Sequence, residues 1–176
     1  MHGTVMNPDT GQVAEYDELS RSSDGPHKWI QSNTEEFGRL AEGLRPDSSM
    51  PTGANAINFI HPRDMMPTDR IATYLRIVCA GRPENTNPKR VRHTIGGDRI
   101  DYPGNTSTKT ADMTNVKTMF NSVISTRNAR FMTGDLKDFY LGMPLERYEY
   151  IRIQLKMIPQ AIINLCNLLE ILVVNG

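Results

Sequence analysis

The sequence predicts an α+β fold in which a largely antiparallel sheet is packed by helices. Two stretches, around residues 73–79 and 90–95, alternate apolar and polar side chains as half-buried strands do. Residues 112–126 instead repeat their apolar positions at three- and four-residue steps, the spacing of a helix with one buried face. The large aliphatic and aromatic core formers are also unevenly spread. Of 39 Leu, Ile, Val and Phe residues, ten lie in 1–70 and 29 in 71–176. A core is therefore expected from the second part, with the first unable to build one alone.

Residues 1–28 are polar and rich in turn formers, with Asn7-Pro8-Asp9 and Ser20-Arg21-Ser22-Ser23-Asp24-Gly25-Pro26, and are expected to form a disordered or loosely ordered arm. A short helix is expected from Asn33 or Thr34 to Gly43. Thr34 would cap it, and Phe37, Leu40 and Ala41 would form its apolar stripe. Prolines at 46, 51, 62 and 67 then mark a loop, with a short strand at Ala56–Ile60.

From Thr73 the pattern is that of a sheet. Leu75, Ile77 and Cys79 alternate with Tyr74, Arg76 and Val78; Val91, His93 and Ile95 alternate with Arg90, Arg92 and Thr94. Gly81 to Pro88 joins them as the long loop of an antiparallel hairpin, and Gly96-Gly97-Asp98 is a turn. In the 112–126 helix, Met113, Val116, Met119, Phe120, Val123 and Ile124 form the stripe, with Thr110 or Asp112 as the cap. Ala129–Leu136 and Tyr150–Lys156 read as two further strands. A last helix follows Pro159, its stripe running through Ala161, Ile162, Leu165, Leu168, Leu169 and Leu172.

Twenty Lys plus Arg against twenty Asp plus Glu give a formal net charge of zero, which excludes a globally basic nucleic-acid coat. Any polyanion site must be a local patch. Cys79 and Cys166 lack the spacing of a disulfide framework or a zinc module. No stretch reaches the roughly 20 apolar residues that cross a bilayer, and the N-terminus lacks an apolar signal region. The expectation is an intracellular protein, cytoplasmic or nuclear, not secreted and without a membrane partner.

Two clusters could carry chemistry. Gly134-Asp135-Leu136-Lys137-Asp138-Phe139-Tyr140-Leu141-Gly142 places one acid at the end of an apolar stretch and a second three residues on. Mg²⁺ takes hard oxygen ligands, usually one or two carboxylates plus substrate phosphates. The competing reading is a solvated strand-end acid and a helix cap. The other cluster is the basic hairpin of Arg82, Lys89, Arg90, Arg92, His93 and Arg99, whose alternation aims Arg90 and Arg92 to one face. Its competing reading is a charged edge that blocks aggregation. No G-x-S-x-G, P-loop or G-x-G-x-x-G is present, and no His pairs with a Ser or Cys nucleophile.

Asp135-Leu136-Lys137-Asp138-Phe139-Tyr140-Leu141 resembles the first catalytic motif of reverse transcriptases, and further blocks resemble the copia-type LTR retrotransposon polymerase. They are Arg82-Pro83 with Pro88-Lys89-Arg90-Val91-Arg92, Thr94 to Tyr102, Thr108 to Asp112, Asn121 to Thr126, and Glu149-Tyr150 leading to Ile158-Pro159. The likeness spans residues 29–176, with Trp29 resembling that family's early tryptophan.

The resemblance implies a fingers hairpin at about 73–95 and a partial palm over about 110–176. The parent activity it implies is RNA-directed DNA polymerisation on an RNA template and DNA primer with Mg²⁺. Asp135 would be a metal-binding catalytic carboxylate and Leu136 would lend its backbone carbonyl to the same ion. Tyr140 would gate the incoming sugar, and Arg90 and Arg92 would hold the triphosphate. The family's Tyr-x-Asp-Asp turn has no counterpart, since no two adjacent aspartates occur. The glutamine-glycine block is missing as well. The resemblance thus implies a truncated N-terminal fragment, inactive alone, whose exposed palm surface would self-associate. The alternative is a non-catalytic nucleic-acid-binding remnant that uses the basic hairpin.

Overall fold

A computed structural model describes residues 5–41, 53–60, 66–84, 86–104, 110–136, 139–143, 145 and 147–168. The described chain is a small α+β fold with four helices, α1 (Tyr16–Leu19), α2 (Pro26–Leu40), α3 (Met113–Ser125) and α4 (Gln160–Leu168). Its sheet holds three strands, β1 (Thr73–Gly81), β2 (Lys89–Ile95) and β3 (Ile151–Arg152), in the order β2-β1-β3. The chain divides into two compact units, one of Met1–Ile100 with Tyr140–Gly176, the other of Asp101–Phe139.

The hairpin forms as its alternation dictates. β1 and β2 pair antiparallel with Leu75 opposite Ile95, Ile77 opposite His93 and Cys79 opposite Val91. Ile77 and Val91 are buried, so this side faces the core, while Tyr74, Val78 and Arg92 are exposed on the other. Gly96 follows β2 where the Tyr74 ring crosses the backbone. A Cβ there would meet the Tyr74 ring, so any other residue would have to displace that ring.

The first unit's core has two clusters. Ala14, Tyr16, Leu19, Trp29, Ile77 and Val91 form one. Phe37, Ala41, Ile158, Ile162 and Cys166 form the other, and Leu75 packs against both. Among the described residues, Ala14, Tyr16 and Leu19 of the expected loosely ordered arm are buried, which corrects that expectation. Residues 5–28 hold an isolated bridge between Met6 and Val13, helix α1 and the start of α2. This segment has few large aliphatics, but it places Ala14, Tyr16 and Leu19 in the cluster that holds Ile77 and Val91 of the hairpin. It needs no core of its own.

Helix α2 begins at Pro26, well before Asn33. Gly25 adopts a left-handed conformation at its N-cap, and Pro26 supplies a preset φ where no amide donor is missed. The expected cap, Thr34, is internal and donates its hydroxyl to the Ile30 carbonyl at 2.9 Å. Phe37, Leu40 and Ala41 are buried as expected. The expected end at Gly43 lies outside the described residues.

Three expected strands are corrected. Residues 56–60 form no strand, and the Ala56 and Ile57 amides donate to the Leu40 carbonyl instead. Residues 129–136 have no regular structure. Neither alternating face there is consistently apolar, and no described strand pairs with it. Tyr150–Lys156 shrinks to the two residues of β3 before a 3₁₀ turn at Leu155–Met157. β3 pairs parallel to β1, Thr73 opposite Ile151, so the sheet is mixed, with its longer pairing, β1 with β2, antiparallel. The last helix starts after Pro159 as expected, with Ile162 and Cys166 buried; Leu169 and Leu172 lie outside the described residues. Among the described residues no helix is long and apolar enough to cross a membrane.

Candidate functional site

β2 is an edge strand of the three-stranded sheet, and its outward amides would be open to water or to another strand. Helix α2 closes that edge with side chains. The Val91 amide donates to Ser32 Oγ at 2.9 Å, and the His93 amide reaches Glu36 Oε1 at 3.5 Å. The match is geometric. Four helical residues rise about 6 Å, and two strand residues advance about 6.7 Å, so an i, i+4 pair on α2 meets an i, i+2 pair on β2.

A buried polar cluster stands beside this seam. Asn33 Nδ2 donates to the Met157 carbonyl at 3.0 Å, which turns Asn33 Oδ1 toward His93 Nε2 at 2.7 Å. That orientation requires the proton on Nε2. Nδ1 is then a buried acceptor without a hydrogen-bond partner among the described residues. The Phe37 ring meets the imidazole edge-on with centroids 4.3 Å apart. Burial pushes the His93 pKa down to about 4, against the pull of the Glu36 carboxylate. His93 is thus a neutral structural histidine.

Glu36 also takes both nitrogens of a neighbouring guanidinium. Arg39 Nε donates to Oε2 and Nη2 to Oε1, each at 2.8 Å. Burial pushes the Glu36 carboxyl up, but Arg39, with help from His93, more than offsets it and holds the acid below its ordinary range. Arg90 is driven the other way. Burial, then the Arg92 and Arg82 guanidiniums, push its pKa down, Arg39 adds to the effect, and Glu36 opposes it. Arg82, Arg90 and Arg92 form no ion pair with any described residue. Lys89 does: its ammonium bonds the Asp24 carboxylate at 2.7 Å and lies over the Trp29 ring.

Arg90 and Arg92 occupy alternate positions on the face away from Val91, opposite Ala80 and Val78. Glu36 holds the Arg39 guanidinium while reaching the His93 amide next to Arg92, and Arg39, Arg82, Arg92 and Glu36 all act electrostatically on Arg90, a charge set that suits phosphate oxyanions. The sequence reading placed Arg82, Arg90 and Arg92 here and missed Arg39, Glu36, Asn33 and Ser32. Their signal was the polar i, i+4 spacing of Ser32 and Glu36. A helix expected to begin at Asn33 or Thr34 leaves Ser32 outside it and hides that spacing.

The acidic motif lies elsewhere. Asp135 and Leu136 are exposed and belong to the Asp101–Phe139 unit, not at the end of a strand. The Leu136 carbonyl accepts a turn bond from the Phe139 amide at 3.4 Å, leaving a lone pair for another partner. Asp138 lies outside the described residues. Tyr140 sits in the 3₁₀ turn Phe139–Gly142 and is 75% exposed. Among the described residues no group of three or more His, Cys, Asp or Glu is placed to hold a metal ion. Around Asp135 they offer a divalent cation one carboxylate and one carbonyl, too few to hold two ions. Cys79, with its thiol pushed up to about 12 by burial and then by Glu15, is no nucleophile at neutral pH. In comparisons with protein-family models, curated proteins and solved structures, none matches this chain.

Proposed function

We propose that this chain carries the fingers and the first half of the palm of a copia-type reverse transcriptase. The parent activity is RNA-directed nucleotidyl transfer onto a DNA primer with Mg²⁺, and the 176-residue chain does not polymerise alone. The observation that carries this reading is the ordered set of sequence blocks ending in Asp135-Leu136-Lys137-Asp138-Phe139-Tyr140-Leu141. The antiparallel hairpin with Arg90 and Arg92 on one face supports it. In this reading Arg90 and Arg92 hold triphosphate oxygens, Tyr140 packs beneath the incoming sugar, and Asp135 supplies a metal-binding carboxylate. A single motif acid leaves most of the transition-state charge unsupported.

Primer extension on a primed RNA template with dNTPs and Mg²⁺ tests it. No incorporation is expected from the purified chain. Incorporation abolished by Asp135→Ala would show that one motif acid suffices. A second reading rests on the three hairpin arginines that form no ion pair among the described residues: a nucleic-acid-binding remnant without chemistry. It predicts salt-sensitive retention of RNA or DNA, weakened in the Arg90→Ala/Arg92→Ala variant.

A further inference from the structure

The arginine neighbourhood contains an internal anion. Glu36 is buried, grips Arg39 through both carboxylate oxygens, and fastens α2 to the His93 amide. Its capacity is thereby spent. Arg82, Arg90 and Arg92 form no ion pair among the described residues. A carboxylate clamped in this fork-to-fork manner occupies the donors that a phosphate would use, because both present two coplanar oxygens to the guanidinium.

We propose that Glu36 is an intramolecular competitor for phosphate: it holds Arg39 in reserve at an oxyanion site completed by Arg82, Arg90 and Arg92. A ligand with closely spaced phosphates draws the Arg39 side chain off Glu36, and Glu36 sets how weakly the site binds at rest. Arg39 comes from a helix and the other three from the hairpin, so the site reads the docking of α2 on β2 as well as charge. The proposal rests on the reading of the hairpin as a phosphate-binding element, and it adds the residue that regulates it. The ligand chemistry is phosphate oxyanion, whether free polyphosphate or a nucleic-acid backbone.

The test measures tripolyphosphate and a short oligothymidine separately at low salt, about 50 mM, on the full chain and its variants. Glu36→Gln keeps an oxygen for the His93 amide while removing the competing charge. It is expected to tighten tripolyphosphate binding about fivefold or more. The double variant Glu36→Gln/Arg39→Ala is expected to lose that gain. A gain with both probes marks a general phosphate site, and a gain confined to one names the source. If Glu36→Gln leaves both affinities unchanged while Arg90→Ala/Arg92→Ala abolishes them, the competitor role is overturned and the hairpin reading stands. If neither probe binds the wild-type chain or any variant, both fall. Should Glu36→Gln fail to fold, ¹⁵N spectra of the wild-type arginine side chains decide it. The Arg39 Nε signal must shift on adding tripolyphosphate, and a stationary signal beside shifting Arg90 and Arg92 signals overturns the proposal.

Discussion

The two units bury their apolar residues very differently. Among the described residues, all twelve buried hydrophobics lie in the unit of Met1–Ile100 with Tyr140–Gly176. The unit Asp101–Phe139 buries none among its described residues, although α3 has a regular apolar stripe and its Phe120 ring meets Phe131 with centroids 4.9 Å apart. Periodicity specifies that a helix forms, and it says nothing about what the helix packs against. The difference also divides the chemistry. The arginine neighbourhood is built on a packed seam between helix and strand, whereas Asp135 sits on irregular chain without a buried support.

The contrast yields graded expectations. Phe37 is fully buried between α2 and α4, and Phe37→Ala should cost about 3–5 kcal/mol in urea unfolding. A loss below about 1 kcal/mol would mean the second cluster is not a core.

Acid should act through the same unit. His93 titrates near 4 when folded and near 6.5 when unfolded, so the folded state binds fewer protons between these values. The groups facing it are Asn33, Glu36 and Arg39 from α2. Stability on the order of 3 kcal/mol is fully present above pH 6.5 and fades as pH falls toward 4. Urea midpoints measured across that window should show the slope, and His93→Gln should flatten it.

Helix α3 depends more on its own caps. Asp112 accepts from the Thr114 amide at 2.6 Å and the Asn115 amide at 3.4 Å. Asp112→Ala should cost about 1 kcal/mol, read as faster amide exchange confined to α3. Ile124 is 83% exposed, and Ile124→Ala should change stability by no more than about 0.5 kcal/mol. A loss comparable to Phe37→Ala would show that α3 is buried against a partner in solution, and would erase the distinction between the units.

Much of this architecture is legible from residues alone. The alternation at 73–79 and 90–95 specified the hairpin and the common face of Arg90 and Arg92, because a strand's period of two allows no other placement. The stripe specified α3, whose cap the structure settles as Asp112 of the two candidates Thr110 and Asp112, and Pro159 specified the start of α4. Gly25-Pro26 was read as a break, when a left-handed glycine followed by proline opens a helix as readily as it ends one.

What the tertiary structure decided was pairing. Whether β3 runs parallel or antiparallel, whether 129–136 has a strand to join, and where Tyr16, Leu19 and Trp29 find apolar cover all depend on residues remote in the chain. The arginine neighbourhood shows the same division. Three of its members were visible as a basic hairpin, while Arg39 and Glu36 entered only once α2 lay along β2. Local spacing determines which face a side chain occupies, but a salt bridge or a shared anion site requires two segments to meet. That meeting is set by burial summed over the whole unit.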